Sequence, residues 1–330
     1  VDPLSHVLSL LNVEGVVSVP LLAGGDWAVD FSSHRHVKFA AVLTGRCWLI
    51  VKGVDEPIRL QQGDCYLVIG DRRYRLSSNP DVPAVDAAPV FANLIDGLAR
   101  CGTGHDTTLV GGRFTFDEAN AALLLDGLPP VIHVPAGSDQ SDAMRTVVNL
   151  IGGEALGSLM GSTLMLDRLA QVLLLQALRA HARSVSHDAP GWLAALLDPR
   201  VGPALNLMHS EPARPWTVAN LAAAVNVSRS TFASRFKNAV GASPAEYLTR
   251  LRMHVAGAML RDTDLSVASI ATAVGYASES SFTTAFRRVM TRTPHVYRTR
   301  ARQPDHPPGQ HALPAAVVGA LAPVVSTSRR

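Results

Sequence analysis

Cysteine is scarce in this 330-residue chain. Its three thiols, Cys47, Cys65 and Cys101, are an odd number without paired spacing, which excludes a disulfide framework and a zinc ribbon and fits a reducing compartment. All three are expected to be small buried apolar residues. Long apolar runs are missing too. Nothing approaches the roughly 18 apolar residues needed to span a bilayer, and the most apolar stretch, LMLDRLAQVLLLQAL (Leu164 to Leu178), is interrupted by Asp167, Arg168 and Gln171. It reads as an amphipathic helix, and no membrane partner is expected. The opening VDPLSHVLSLLNVEG shows no basic leader and no small-residue cleavage site, so a cytoplasmic location is expected. With 47% apolar and 17% charged residues, the composition is globular and the length suits two domains.

The net charge of +3 hides an asymmetry. Between Pro215 and Arg302 there are twelve Lys or Arg against four Asp or Glu, a balance of +8 that leaves about −5 for all other residues. A basic segment in an otherwise acidic chain is the footprint of one domain that meets a polyanion.

The first 120 residues carry short apolar runs separated by Gly, Pro and Asp: WAVDF, KFAAVL, CWLIVKG, CYLVIG, YRLSS and TTLVGGRFTF. This spacing predicts an all-β sandwich or small barrel over 1–135, with Gly63 and Asp64 forming a tight turn before a strand. From Ser141 to Ser184 the apolar period becomes helical, so 136–190 is predicted as two helices separated by glycines. The segment 191–302 is predicted to be helical, and the Pro-, Gly- and Ala-rich tail 303–330 to be disordered.

FASRFKNAVGASPAEYLTRLR, starting at Phe232, has an echo fifty residues later in FTTAFRRVMTRTPHVYRTR, starting at Phe282. The offset pairs Ser228 with Ser278, Phe232 with Phe282, Phe236 with Phe286, Pro244 with Pro294 and Tyr247 with Tyr297. Each copy predicts a short helix, a turn, and a second helix capped by Ser228 or Ser278, the arrangement that places a helix in a DNA major groove. The second copy has one more residue between its first helix and its cap. At about 100° per residue, with Ser230 at zero, Phe232 and Phe236 fall at about 200° and 240° while Ala233, Ser234 and Lys237 lie within about 60° of zero. The phenylalanines therefore face inward. Ser230, Ala233, Ser234, Ser280, Thr283 and Thr284 form two outward faces small enough to approach base edges, and Arg229, Lys237, Arg287 and Arg288 flank them as phosphate contacts.

The segment from about Trp216 to Arg302 resembles the DNA-binding domain of AraC/XylS-type transcriptional regulators. The second unit, IATAVGYASESSFTTAFRRVMTRTPHVYR, carries the family's Ile-Ala, Gly-Tyr, Ser-x-x-x-Phe, Phe-Arg-Arg and Pro-x-x-Tyr-Arg elements. It departs from the family at Thr291-Arg292, where a glycine is usual before Thr293-Pro294; the first unit keeps its glycine as Gly241. The N-terminal segment is similar, more loosely, to the cupin-like sensor domains of some of these regulators. The resemblance implies a two-domain chain: an N-terminal cupin-like β-barrel with a helical dimerisation linker, and a C-terminal all-α domain with two helix-turn-helix units joined by a long helix (Ser243 to Leu260). It further implies double-stranded DNA and RNA polymerase as partners, activation as the commoner mode, a small-molecule effector as an option, and a homodimer through the linker helices. Leu169 and Leu173 are the expected dimer contacts.

Two histidine motifs invite a catalytic alternative, a cupin-type metalloenzyme or isomerase fused to a nucleic-acid-binding domain. His34 and His36 have the spacing that points two imidazoles to one side of a strand. A metal cupin would add a glutamate four or five residues on and a histidine near position 74, where this chain has Ala40, Ala41 and Tyr74. Two ligands are too few for zinc, so no metal and no cofactor are expected. Cys101 and His105 lack a third, orienting group, so no catalytic residue is assigned and no enzyme is expected.

Overall fold

The computed structural model describes residues 2–11, 13–33, 37–116, 124–125, 127–137, 141–157, 159–185 and 191–302. After helix α1 (Pro3–Leu11), the strands are β1 (Glu14–Val17), β2 (Leu21–Gly24), β3 (Ala28–Phe31), β4 (Val37–Thr44), β5 (Arg46–Val51) and β6 (Ile58–Gln61). They continue as β7 (Cys65–Val68), β8 (Tyr74–Ser77), β9 (Val85–Asp86), β10 (Ala99–Gly102), β11 (Thr107–Thr115) and β12 (Val131–Val134), with helix α2 (Ala87–Ala92) after β9. Every apolar run picked out in the sequence contributes a strand.

These strands form two sheets and no closed barrel, which corrects the barrel expectation. One sheet has the order β10-β2-β11-β4-β7-β12 with β1 beside β11, and the other runs β6-β5-β8-β3-β9. The chain passes repeatedly from one sheet to the other, as between β4 and β5, and among the described strands no ladder joins one sheet to the other. Strand alternation explains the layering. Val37, Phe39 and Ala41 of β4 face a helical layer, while Ala40 and Val42 face the second sheet. Both faces of β4 are buried from Phe39 to Val42, and that stretch is a continuous apolar run. Asp64, buried at the predicted turn, accepts hydrogen bonds from the Gln61 and Ala136 amides at 3.1 and 2.8 Å.

The helical layer consists of α3 (Ser141–Leu156) and α4 (Ser162–Ser184). Leu169, Ala170, Leu173, Leu174, Ala177 and Leu178 of α4 are buried in the chain's own core. Leu169 and Leu173 therefore pack within the chain, which corrects their expected place in a dimer contact. The polar residues that interrupt this apolar helix have a structural use. Asp167 accepts the Gly15 amide at 2.9 Å, and Gln171 donates to the Val13 carbonyl at 3.1 Å, tying α4 to β1.

The C-terminal helices are α5 (Trp192–Leu197), α6 (Val201–Ser210), α7 (Val218–Ala224), α8 (Arg229–Val240), α9 (Pro244–Asp262), α10 (Val267–Ala273), α11 (Glu279–Met290) and α12 (Pro294–Arg302). One hydrophobic core runs without a break from Phe39 and Phe114 of the sheet, through Leu173 and Leu205, to Phe232, Phe236 and Leu251. A separate core holds Met253, Leu260, Ile270, Phe282, Phe286 and Tyr297. The predicted tail 303–330 lies outside the described residues.

Candidate DNA-binding interface

The repeat in the sequence becomes two helix pairs, α7 with α8 and α10 with α11. All four helices start on a hydroxyl cap that satisfies an otherwise orphaned amide. Thr217 accepts from Asn220, Ser228 from Thr231, Ser266 from Ser269 and Ser278 from Ser281, at 3.1, 3.2, 3.1 and 3.3 Å. The two turns differ by the one residue seen in the sequence. In the first, Asn226 takes the left-handed conformation at φ 54°, and in the second Gly275 does so at φ 82°. Gly275 has a second constraint, because a Cβ there would lie 2.2 Å from the Ala213 carbonyl oxygen.

The second helix of each pair is anchored by its aromatics. Phe232, Phe236, Phe282 and Phe286 are fully buried, and the ring centroids within each pair lie 5.6 and 5.5 Å apart. This fixes which face looks outward. Ser230, Ser234, Ser280 and Thr284 are exposed, and Ala233 and Thr283 are half-buried. The hydroxyls are partly committed already. Ser230 Oγ lies 3.1 Å from Ser228 Oγ, Ser280 Oγ lies 3.3 Å from Ser278 Oγ, and Thr284 donates to the Ser280 carbonyl at 3.0 Å. Thr284 thus offers an incoming group mainly its acceptor lone pairs.

The cations of the basic segment divide into two sets. Arg235 bonds to buried Asp198 at 2.8 Å. Burial works to raise the Asp198 pKa, but Arg235 and the amides of Arg200 and Val201 outweigh it and hold the carboxyl below its ordinary value. Arg250 pairs with Glu246, Arg261 with Asp262 and Arg302 with Asp264. Arg252 and Arg298 donate to backbone carbonyls. Among the described residues, Arg229, Lys237, Arg287 and Arg288 are exposed and make no ion pair or hydrogen bond through their side chains. Their charge is unspent and lies on the two outward-facing helices. Arg300 is exposed and Arg292 half-buried, and both are unpaired in the same sense. Both lie beyond the second helix of each pair, after α11 and in α12, where no wheel of the reading helices includes them.

The features that suggested catalysis fare differently. His34 and His36 lie outside the described residues. Ala40, Ala41 and Tyr74 are buried. Burial, aided by nearby Asp64, pushes the Cys47 and Cys65 thiols up to about 12. Cys101 is half-buried, and burial raises its pKa too.

Comparison with known proteins gives a consistent picture. A Cupin family model matches residues 2–183, and a Helix-turn-helix domain model matches residues 221–300. An AraC-like transcription regulator from Streptomyces lividans is 46% identical over 92% of this chain and 100% of its own length. Another from Streptomyces antibioticus is 46% identical over 90% of this chain and 98% of its own. The HTH-type transcriptional regulator AlkR of Acinetobacter baylyi is 33% identical over 91% of this chain and 100% of its own length. With a cupin domain ahead of a doubled helix-turn-helix region, and with relatives aligned over nearly their full lengths, the chain belongs to the AraC-like transcriptional regulators and is a DNA-binding protein.

Proposed function

We propose that the two outward-facing helices read two adjacent major-groove segments. Ser230, Ala233 and Ser234 contact bases in one, and Ser280, Thr283 and Thr284 contact bases in the other. Arg229, Lys237, Arg287 and Arg288 hold the flanking phosphates. The observation that carries this is the unspent charge of those four cations beside two small polar faces whose aromatic backs are fully buried. The connecting α9, with 19 residues, is about 28 Å long at 1.5 Å per residue, of the order of the 34 Å between successive turns of the groove. A gel-shift titration against upstream DNA at 50 to 200 mM salt tests this. Four phosphates neutralised give a log–log slope of about −3.6, and a flat response counts against it.

In this reading 1–135 is the sensor domain, 136–190 the dimerisation region and 191–302 the DNA-binding domain of a cytoplasmic regulator without catalytic activity. Activation, with RNA polymerase as partner, is the mode we assign from the family. The homodimer is assigned to a face other than the expected one. Leu156, Leu159, Met160, Leu164, Met165 and Val172 are exposed large apolar side chains of α3, α4 and the turn between them. A patch of this kind marks an interaction site, and pairing would double the DNA sequence read.

A small-molecule effector is supported by one further observation. Lys38 of β4 and Arg113 of β11 are directly opposed in register, on the side of the sheet that Ala40 and Val42 turn toward the second sheet. Both are half-buried, and among the described residues neither makes an ion pair or hydrogen bond through its side chain. Burial, then Arg113, lowers the Lys38 amine to about 8. Like charges opposed across strands are destabilising, and an anionic effector group between them would relieve the repulsion.

A further inference from the structure

The two helix-turn-helix units do not share a core. Tyr247, Leu248 and Leu251 of α9 belong to the core of the first unit, and Met253, Ala256 and Leu260 to that of the second, with only half-buried Val255 touching both. Among the buried apolar residues of α9 the change-over falls at Arg252, while half-buried Ala258 still packs on the first core. Helix α9 is therefore the covalent bridge between the readers, and its buried middle packs on one core up to Leu251 and chiefly on the other from Met253.

Arg252 supplies a brace of another kind. Its Nε donates to the Pro212 carbonyl at 2.7 Å, and its Nη2 donates to those of Ala213 and Arg214 at 3.2 and 2.9 Å. Its guanidinium lies 5.9 Å from the centroid of the Tyr276 ring. The loop that it grips leads directly into Thr217, the cap of α7. This loop is stiffened from within, because Trp216 Nε1 donates to the Glu211 carbonyl at 3.0 Å and the Arg214 guanidinium sits 4.1 Å from the Trp216 centroid. On its far side the loop touches the turn of the second unit, where the Ala213 carbonyl leaves no room for a Cβ on Gly275. Tyr276 in that turn packs edge-on against Phe282, 5.8 Å between centroids, and Phe282 anchors α11. One guanidinium thus ties the entrance of the first unit to the turn of the second across the seam between two cores. A planar group with donors in a fixed fork suits the task, and a lysine could not reproduce it.

We propose that Arg252 is a positioning residue that fixes the distance and phase between the two reading helices, so that the chain selects the spacing of the two DNA segments as well as their sequence. This rests on the two-segment reading above. The test starts from a site recovered by the full-length chain from a random DNA pool. Binding is then measured on that site, on versions with one base pair inserted or removed between the segments, and on versions with one segment scrambled. One base pair turns the second segment by about 34°. The wild-type chain is expected to lose about tenfold on the altered spacings, in the range of a single mismatch. For R252M the spacing penalty falls to about twofold and affinity for the parent site drops about tenfold, because rigidity no longer pre-aligns the second unit. Affinity for one-segment sites stays at the wild-type value, which a loss of folding would not allow. R252K restores only part of the penalty, and R252Q makes the same comparison should the methionine variant unfold. An R252M or R252Q chain that keeps the wild-type spacing penalty overturns the role of Arg252. A wild-type chain indifferent to spacing overturns the two-segment reading, and this role with it.

Discussion

His209 Nδ1 lies 3.1 Å from His6 Nδ1, joining α1 to α6 of the C-terminal helices across 203 residues of sequence. The other nitrogen of His209 lies 2.7 Å from the Tyr247 hydroxyl, which also accepts from Trp192 Nε1 at 2.7 Å. One arrangement of protons gives every contact in this chain a donor and an acceptor. Trp192 donates to Tyr247, Tyr247 to His209, and His209 to His6, with both imidazoles neutral.

Burial first, then the neighbouring His6, lowers the His209 pKa to about 3, and burial also lowers that of His6. An unfolded histidine takes up a proton near 6.5, so between about 3 and 6.5 the unfolded state binds more protons than the folded one. Stability is therefore complete above pH 6.5 and is lost as pH falls through that window. Urea denaturation should show a loss of about 2 kcal/mol from His209 between pH 7 and pH 5, and H209Q should flatten that slope while lowering stability at pH 7.

Reading and folding separate on α11. S280A or T284A should cost about 1 to 3 kcal/mol at the preferred DNA site with the thermal midpoint nearly unchanged. F282A should instead cost about 3 to 5 kcal/mol of stability by opening a cavity. If S280A and T284A bind every base variant of the site as the wild-type chain does, α11 does not read the bases.

Sedimentation can locate the dimer. L164D with M165D, on the exposed face of α4, should give folded monomers whose melting temperature no longer depends on protein concentration. L169D with L173D should unfold the chain, because both positions lie in its core. Dimers that survive L164D and M165D place the interface elsewhere.

Thr291 ends α11 in the left-handed conformation at φ 60°, a region that suits glycine and strains a β-branched residue. T291G should therefore stabilise the chain by about 0.5 to 1 kcal/mol, read as a shift of the denaturant midpoint at constant slope. No gain would mean that the Thr291 hydroxyl, which donates to the Met290 carbonyl at 2.7 Å, offsets the strain.

Lys38 is held in a charged form that its surroundings disfavour below a pH of about 8. Its folded pKa is depressed, so stability rises as pH climbs from there toward the unfolded value. K38M should raise the melting temperature at pH 7 and abolish any stabilisation by carboxylate-bearing ligands. Ligand stabilisation of the wild-type chain should weaken above pH 8. Equal stabilisation of the K38M and wild-type chains would sink the anionic-effector reading.

Local chemistry determined much of this protein from the sequence alone. The strands, the hydroxyl caps at Ser228 and Ser278, and the inward phenylalanines follow from turn residues, capping and helical period, which act over a few residues and so are written in a few residues. The resemblance of the second helix-turn-helix unit rests on the same short-range pattern. The tertiary structure decided what depends on distant partners. Leu169 and Leu164 are both apolar positions of one helix, about 140° apart around it, and only the packing of α4 against the sheet decides which is core and which is surface. Arg235, Arg252 and Arg287 carry equal weight in a charge count. Buried Asp198 and the carbonyls of Pro212 to Arg214 occupy the donors of the first two, so Arg287 alone of the three keeps its guanidinium free for a partner. The His6–His209 contact left no sequence signal, because a hydrogen bond closed across 203 residues has no period and no local motif.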